Sequence, residues 1–192
     1  MPISKQKAIT FFLLFSVSFF TSSAQKRRDT ARENIVLLKS GALFVRLKTS
    51  TLKINALKES GNIAEAEEMR VNQENENKAI IAAFKNNFTF CPVYFFYSNN
   101  SNEVKAGNYK GMLLNVNNQT DSTFNNSNYL IGEFDASANT QIAAFIIKNK
   151  NYEQLEPPFP FLIKQNQALV STRSNDAIVS LLDKKLIAFY GK

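Results

Sequence analysis

Between Ala42 and Tyr97 the chain reads as strand, helix, strand, and that order constrains the fold more than any other feature. Ala42 to Lys48 follows Ser40-Gly41 and alternates Leu43, Val45 and Leu47 against Phe44, Arg46 and Lys48, the period of a strand with one strongly apolar face. Val93 to Tyr97 is built of β-branched and aromatic residues and is the second strand. Between them Ser50 can cap a helix starting at Thr51, Gly61 can end it, and Asn62 can cap a longer run to about Asn86. A helical connection of this length predicts a parallel pair with a right-handed crossover, with an antiparallel edge as the alternative.

The longer helix is amphipathic only at its ends, with Ile63, Ala66 and Met69 at one and Ile80, Ala83 and Phe84 at the other. Every residue from Asn72 to Lys78 is polar, and following the apolar stripe through that stretch puts Arg70, Gln73 and Asn77 on the inward side. Two readings compete. Either the helix runs past the sheet edge and this turn faces water, or Arg70 and Asn77 point into a polar cleft and bind an anionic or carbonyl-bearing group.

Strand patterns continue at Gly111 to Asn115, Tyr129 to Phe134, Ile142 to Ile147 and Phe161 to Ile163. The polar insertion Asn115 to Asn128 reads as a mobile loop, and Pro157-Pro158-Phe159-Pro160 as an extended crossing. Ser174 or Asn175 caps a last helix with Ile178, Leu181, Leu182, Leu186 and Phe189 on one face. Asn34 to Lys39 fits either a hairpin partner of the first strand or a short helix closed by Gly41. The expected fold is α/β (or α+β): a single mixed β-sheet of about five to six strands, with a long helical crossover and a C-terminal helix packed on it.

The opening residues carry an address. Lys5 and Lys7 precede an uncharged, Phe-rich run from Ala8 to Phe20, and Ser22 and Ala24 supply the small side chains that a signal peptidase accepts. The apolar run is 13 residues, short of the roughly 20 that span a bilayer as a helix. The organisation expected is a signal peptide over 1–24 cut between Ala24 and Gln25, a basic N-terminal tail over 25–33, and one α/β domain over 34–192. The mature protein is then periplasmic or secreted, with no transmembrane segment after processing. Lys5 and Lys7 leave with the signal, so 21 of the 23 basic residues face 16 acids, a surplus of five. Part of it sits in Lys26-Arg27-Arg28 and Arg32, a cluster able to touch an anionic envelope surface but read first as solvated. The expected partner is an envelope protein or an anionic envelope component, and no nucleic-acid module is present.

The chain contains no His, which removes Ser-His-Asp triads, Cys-His pairs, His-ligated zinc and His general bases. It has neither a phosphate loop nor a dinucleotide fingerprint, and no cofactor is expected. Cys91 is the sole thiol, so no internal disulfide can form, and its apolar setting predicts a packed, inert side chain. The carboxylates best placed for chemistry are Glu133 and Asp135, which share a face at the end of the Tyr129 strand. Together they could hold a hard cation or divide acid and base roles on a glycosidic bond, and such a site would join them to Arg46 or Arg70 in a concavity. Tyr94 and Tyr97 lie on opposite strand faces, so at most one faces a groove. The function expected is therefore that of a non-enzymatic binding or envelope-structural component, with a carboxylate-based hydrolase or cation-dependent enzyme acting on envelope glycans as the alternative.

The signal end Ser23-Ala24-Gln25, the Asn- and Lys-rich composition, and the runs Gly41-Ala42-Leu43-Phe44-Val45-Arg46-Leu47, Ala83-Phe84-Lys85 and Phe90-Cys91-Pro92-Val93-Tyr94-Phe95-Phe96 resemble those of uncharacterised exported bacterial proteins. That resemblance covers about half the chain and implies export without implying an activity. Asp29-Thr30-Ala31 and Asp121-Ser122-Thr123 also resemble acceptor tripeptides of a bacterial O-glycosylation system for exported proteins.

Overall fold

The computed structural model describes residues 24–138, 140–168 and 171–191. The expected signal peptide lies outside them apart from Ala24. A helix over 24–40 (α1) leads into strand β1 (Ala42–Leu47), then helices α2 (Thr51–Glu59) and α3 (Ile63–Asn87) and strand β2 (Val93–Tyr97). A 3-10 turn over Ser98–Asn100 runs into the short α4 (Ser101–Lys105). Strands β3 (Tyr129–Ala136), β4 (Ala143–Lys148) and β5 (Leu162–Lys164) follow, then a small hairpin of β6 (Asn166–Ala168) and β7 (Ser171–Thr172), and helix α5 (Asn175–Tyr190) closes the chain.

The main sheet has five strands in the order β2-β1-β3-β4-β5. β1 lies parallel to both β2 and β3, while β3–β4 and β4–β5 are antiparallel, so the sheet is mixed as the strand-helix-strand unit and the later short connections together predict. Burial follows strand parity. Leu43, Val45, Leu47, Phe95, Leu130, Phe145 and Ile147 share one apolar cluster with Ala31, Ile35 and Leu38 of α1, Ile80 and Phe84 of α3, and Ile178 and Leu182 of α5. On the opposite face Phe44, Phe96, Tyr129 and Ile131 join Val104, Leu113 and Phe124 from the connection between β2 and β3. Both faces of β1 are therefore covered, which is why five of its six residues are buried.

Three departures from expectation have local causes. The basic residues of 25–33 are helical, not a tail, because Ala31 continues the stripe of Ile35 and Leu38 at steps of four and three while the cations project outward. This also decides Asn34 to Lys39, which is helix and not a hairpin strand. Gly111 to Asn115 forms no strand: Leu114 alone makes an antiparallel bridge to Phe95 and another to Thr120. The polar loop is pinned by Phe124, whose ring lies 5.1 Å from that of Phe44, inside an aromatic group in which Phe44 stacks on Tyr129 at 4.4 Å.

Two side chains and one glycine fix how these elements end and pack. Asp183 of α5 is buried and accepts from the backbone N–H groups of Thr89 and Phe90 at 2.7 and 2.8 Å and from the Thr89 hydroxyl at 3.0 Å, tying α5 to the segment entering β2. Ser174 accepts from the Ala177 N–H as the expected cap of α5. Gly132 lets the ring of Phe145 cross β3, since a Cβ there would overlap that ring.

Candidate functional site

The connection from β1 to β2 covers one face of the sheet with α3, and the connection from β2 to β3 covers the other, so the chain changes sides around β1. In open sheets with parallel strands such a switch point leaves a crevice beyond the carboxyl ends of the strands. Here that edge is formed by the residues after Leu47 and Tyr97. Thr49 N–H donates to Ser98 Oγ at 3.1 Å, and the Thr49 and Ser98 hydroxyls lie 3.0 Å apart, so the two loops are cross-linked. Ser50 adopts a left-handed conformation with φ 50°, which turns the chain sharply into α2. Its hydroxyl donates to Gln73 Oε1 at 2.6 Å instead of capping α2. A cavity of about 560 Å³ opens there, lined by Arg46, residues 49–53, Ser98 and Asn99. No carboxylate lines it.

Arg46 connects this cavity to a buried charge cluster. Across the parallel pair it is in register with Glu133, and its Nη1 donates to Glu133 Oε2 at 2.8 Å. Its Nε donates to Ser101 Oγ at 2.9 Å. The other carboxylate oxygen of Glu133 receives the ammonium of Lys148 from β4. The Glu133 side chain is 3% exposed, against 27% for Arg46 and 17% for Lys148, so the carboxylate is sealed while both cations keep some contact with water. Two positive groups and one negative leave the cluster with a net charge of +1. Tyr152, whose hydroxyl donates to the Ser101 carbonyl at 3.1 Å, leans on the same helix; burial pushes its phenol up.

The sequence-derived candidates are placed as follows. Glu133 and Asp135 do share a face of β3, but they do not form a working pair. Asp135 is 44% exposed and sits 3.8 Å from Lys48, whereas both oxygens of Glu133 are already taken by cations. With each oxygen facing a cation and the side chain buried, the carboxylate is not open to a metal or a glycosidic oxygen. Arg46 does reach Glu133, as a concave site would require, yet the cavity adjoins the arginine and not the acids. Among the described residues no group of three or more His, Cys, Asp or Glu comes together.

Arg70 and Asn77 are not brought together. Arg70 is spent on Glu67 and Glu74 of its own helix and lies on the surface of α3. Asn77 is buried and does point inward: its amide donates to the Lys48 carbonyl at 2.8 Å. That bond satisfies the backbone just beyond β1, so Asn77 builds the floor of the β1–α2 turn and Gln73 fastens the turn from above through Ser50. Ala24 and Gln25 open the described part of α1, where the Gln25 amide donates to Asp29 at 2.8 Å. Cys91 is half-buried, and desolvation pushes its thiol up to about 12, the opposite of what a nucleophile needs. Tyr94 packs against the aromatic group around Phe44, and Tyr97 on the other strand face is partly exposed. Thr30 lies on the exposed side of α1 and Ser122 is exposed in the loop after Thr120.

Lys148 is the member of the charge cluster that sequence patterning passes over. The signal was faint: Arg46 alternates onto the same strand face as the buried Phe44, and a cation on a buried face requires an anion from a neighbouring strand. Among the described residues no helix is long and apolar enough to cross a membrane. No protein-family model, curated protein or solved structure matches this chain.

Proposed function

We propose that this is an exported, non-enzymatic binding protein of the cell envelope and that it binds at the cleft beyond β1 and β2. The observation that carries the reading is the cleft's composition: a guanidinium, an ammonium, four hydroxyls and an amide side chain meet at the switch point of the sheet, with no carboxylate among them. Such a lining offers hydrogen bonds and positive potential but no group poised to move a proton or attack a carbonyl. The reading places the partner among anionic envelope components and keeps the protein periplasmic or secreted. The hydrolase alternative would need Glu133 released from both Arg46 and Lys148.

Two measurements test it. N-terminal sequencing of the protein from fractionated cells should return a chain starting at Gln25 outside the cytoplasm, and intact Met1 in the cytosol would refute export. Small polar molecules representative of envelope building blocks should perturb amide resonances of residues 49–53, 98 and 99 without being turned over. Release of sugar from an envelope glycan, abolished by Glu133→Gln with the fold intact, would instead favour the enzyme.

A further inference from the structure

Resting on the binding reading above, we infer that the group recognised in the cleft is a compact oxyanion, a phosphate or carboxylate, held by the guanidinium of Arg46. Arg46 is held on two sides. Of its three nitrogens, Nε is fixed by Ser101 and Nη1 by Glu133, while Nη2 makes no hydrogen bond among the described residues. An arginine normally moves through many rotamers; this one is anchored on two sides, so little side-chain freedom remains to be lost when an anion arrives. Glu133 acts here as a positioning residue.

An Arg–Glu pair alone would present a neutral dipole to the cleft. Lys148 changes that by neutralising the second oxygen of Glu133, so the guanidinium's charge is not cancelled and the cluster carries +1. Lys53 adds another cation to the lining, and the lining contains no carboxylate to oppose either.

Of the three hydroxyls of Thr49, Thr51 and Ser98, Thr51 donates to Thr49 and one of Thr49 and Ser98 donates to the other, which leaves one hydroxyl proton for a ligand, and Asn99 adds an amide. The backbone bonding of α2 starts with Ile54 N–H donating to the Ser50 carbonyl, and the Ser50 hydroxyl is diverted to Gln73. The amides of Thr51, Leu52 and Lys53 therefore have neither an intrahelical acceptor nor a side-chain cap. Those amides strengthen a site already defined by the cavity and by Arg46, and do not define it alone. With two cations and the unpartnered amides of α2, the lining offers more donors than acceptors, and that excess matches a ligand group that is acceptor only, which phosphate and carboxylate are.

The experiment is a titration of the exported protein, labelled with nitrogen-15, with inorganic phosphate, with acetate and, as a neutral control, with glycerol, at constant ionic strength set by sodium chloride. Saturable shifts at Leu52, Lys53, Ser98 and Asn99 with phosphate or acetate are expected, and the tighter of the two identifies the anion. Lys53→Glu, an exposed change that leaves the core untouched, should weaken that binding at least tenfold. Arg46→Lys, which keeps the charge and the pairing with Glu133 but removes the fork, should weaken it comparably. Lys85→Glu on the last turn of α3 should not alter it. Non-saturating shifts, or equal shifts from chloride alone, would overturn the oxyanion assignment. So would cleft shifts with glycerol and none with either anion, an outcome that leaves the cleft itself standing; silence with all three probes would remove both.

Discussion

Replacing Glu133 by Gln tests the charge cluster directly. The substitution keeps the size of the side chain but leaves Arg46 and Lys148, 27% and 17% exposed, facing each other without an anion between them. Removing one partner of a buried ion pair costs about 3–5 kcal/mol. Because both cations retain part of their solvent contact, that range is discounted to roughly 2–4 kcal/mol. A domain of this size has a total stability of about 5–15 kcal/mol, so the variant should still fold. At about 2–4 °C per kcal/mol its melting temperature should fall by roughly 5–15 °C. Adding Lys148→Met removes one of the stranded charges, so Glu133→Gln/Lys148→Met should lose at least about 1 kcal/mol less than the two single changes summed. Urea unfolding of the four proteins, followed by far-UV circular dichroism, measures the free energies, and a thermal scan by the same signal measures the melting temperatures. A Glu133→Gln protein within about 0.5 kcal/mol of the parent, or strictly additive single changes, would refute a coupled buried cluster.

Asp183→Ala should cost about 3–5 kcal/mol in the same assay, since it strands the N–H groups of Thr89 and Phe90; Asp183→Asn, which keeps an acceptor oxygen, should cost markedly less. Cys91 should resist iodoacetamide at pH 8 in the folded protein and react in urea, because its thiol is pushed up to about 12. The sign of the linked pH effect follows: the folded thiol holds its proton more tightly than the unfolded one, so its contribution to stability is complete below about pH 8.5 and is lost as pH rises towards 12. Unfolding free energies of the parent and Cys91→Ala should therefore converge between those limits, and a parallel pair of pH profiles would contradict the burial of the thiol.

The amino-acid sequence by itself determined the local elements. Period-two alternation marked β1, the aromatic run marked β2, and Gly61 and Ser174 punctuated α2, α3 and α5 to within a residue or two, because each signal lies within one stretch of chain. Periodicity failed where the apolar stripe was thin: α1 buries only Ala31, Ile35 and Leu38 beneath a coat of charge, and the basic residues obscured the helix. Arg70 and Asn77 looked equivalent on a helical wheel, yet acids three and four residues away captured the arginine, while Asn77 found the carbonyl of Lys48. Only the tertiary structure decided the charge cluster and the cleft. Arg46 meets Glu133 across 87 positions of sequence, and Lys148 reaches the same carboxylate from a third strand. Those meetings depend on strand order and register, which long-range pairing sets and no local pattern encodes; the same pairing turned two adjacent acids from a candidate catalytic couple into one buried counter-ion and one surface charge.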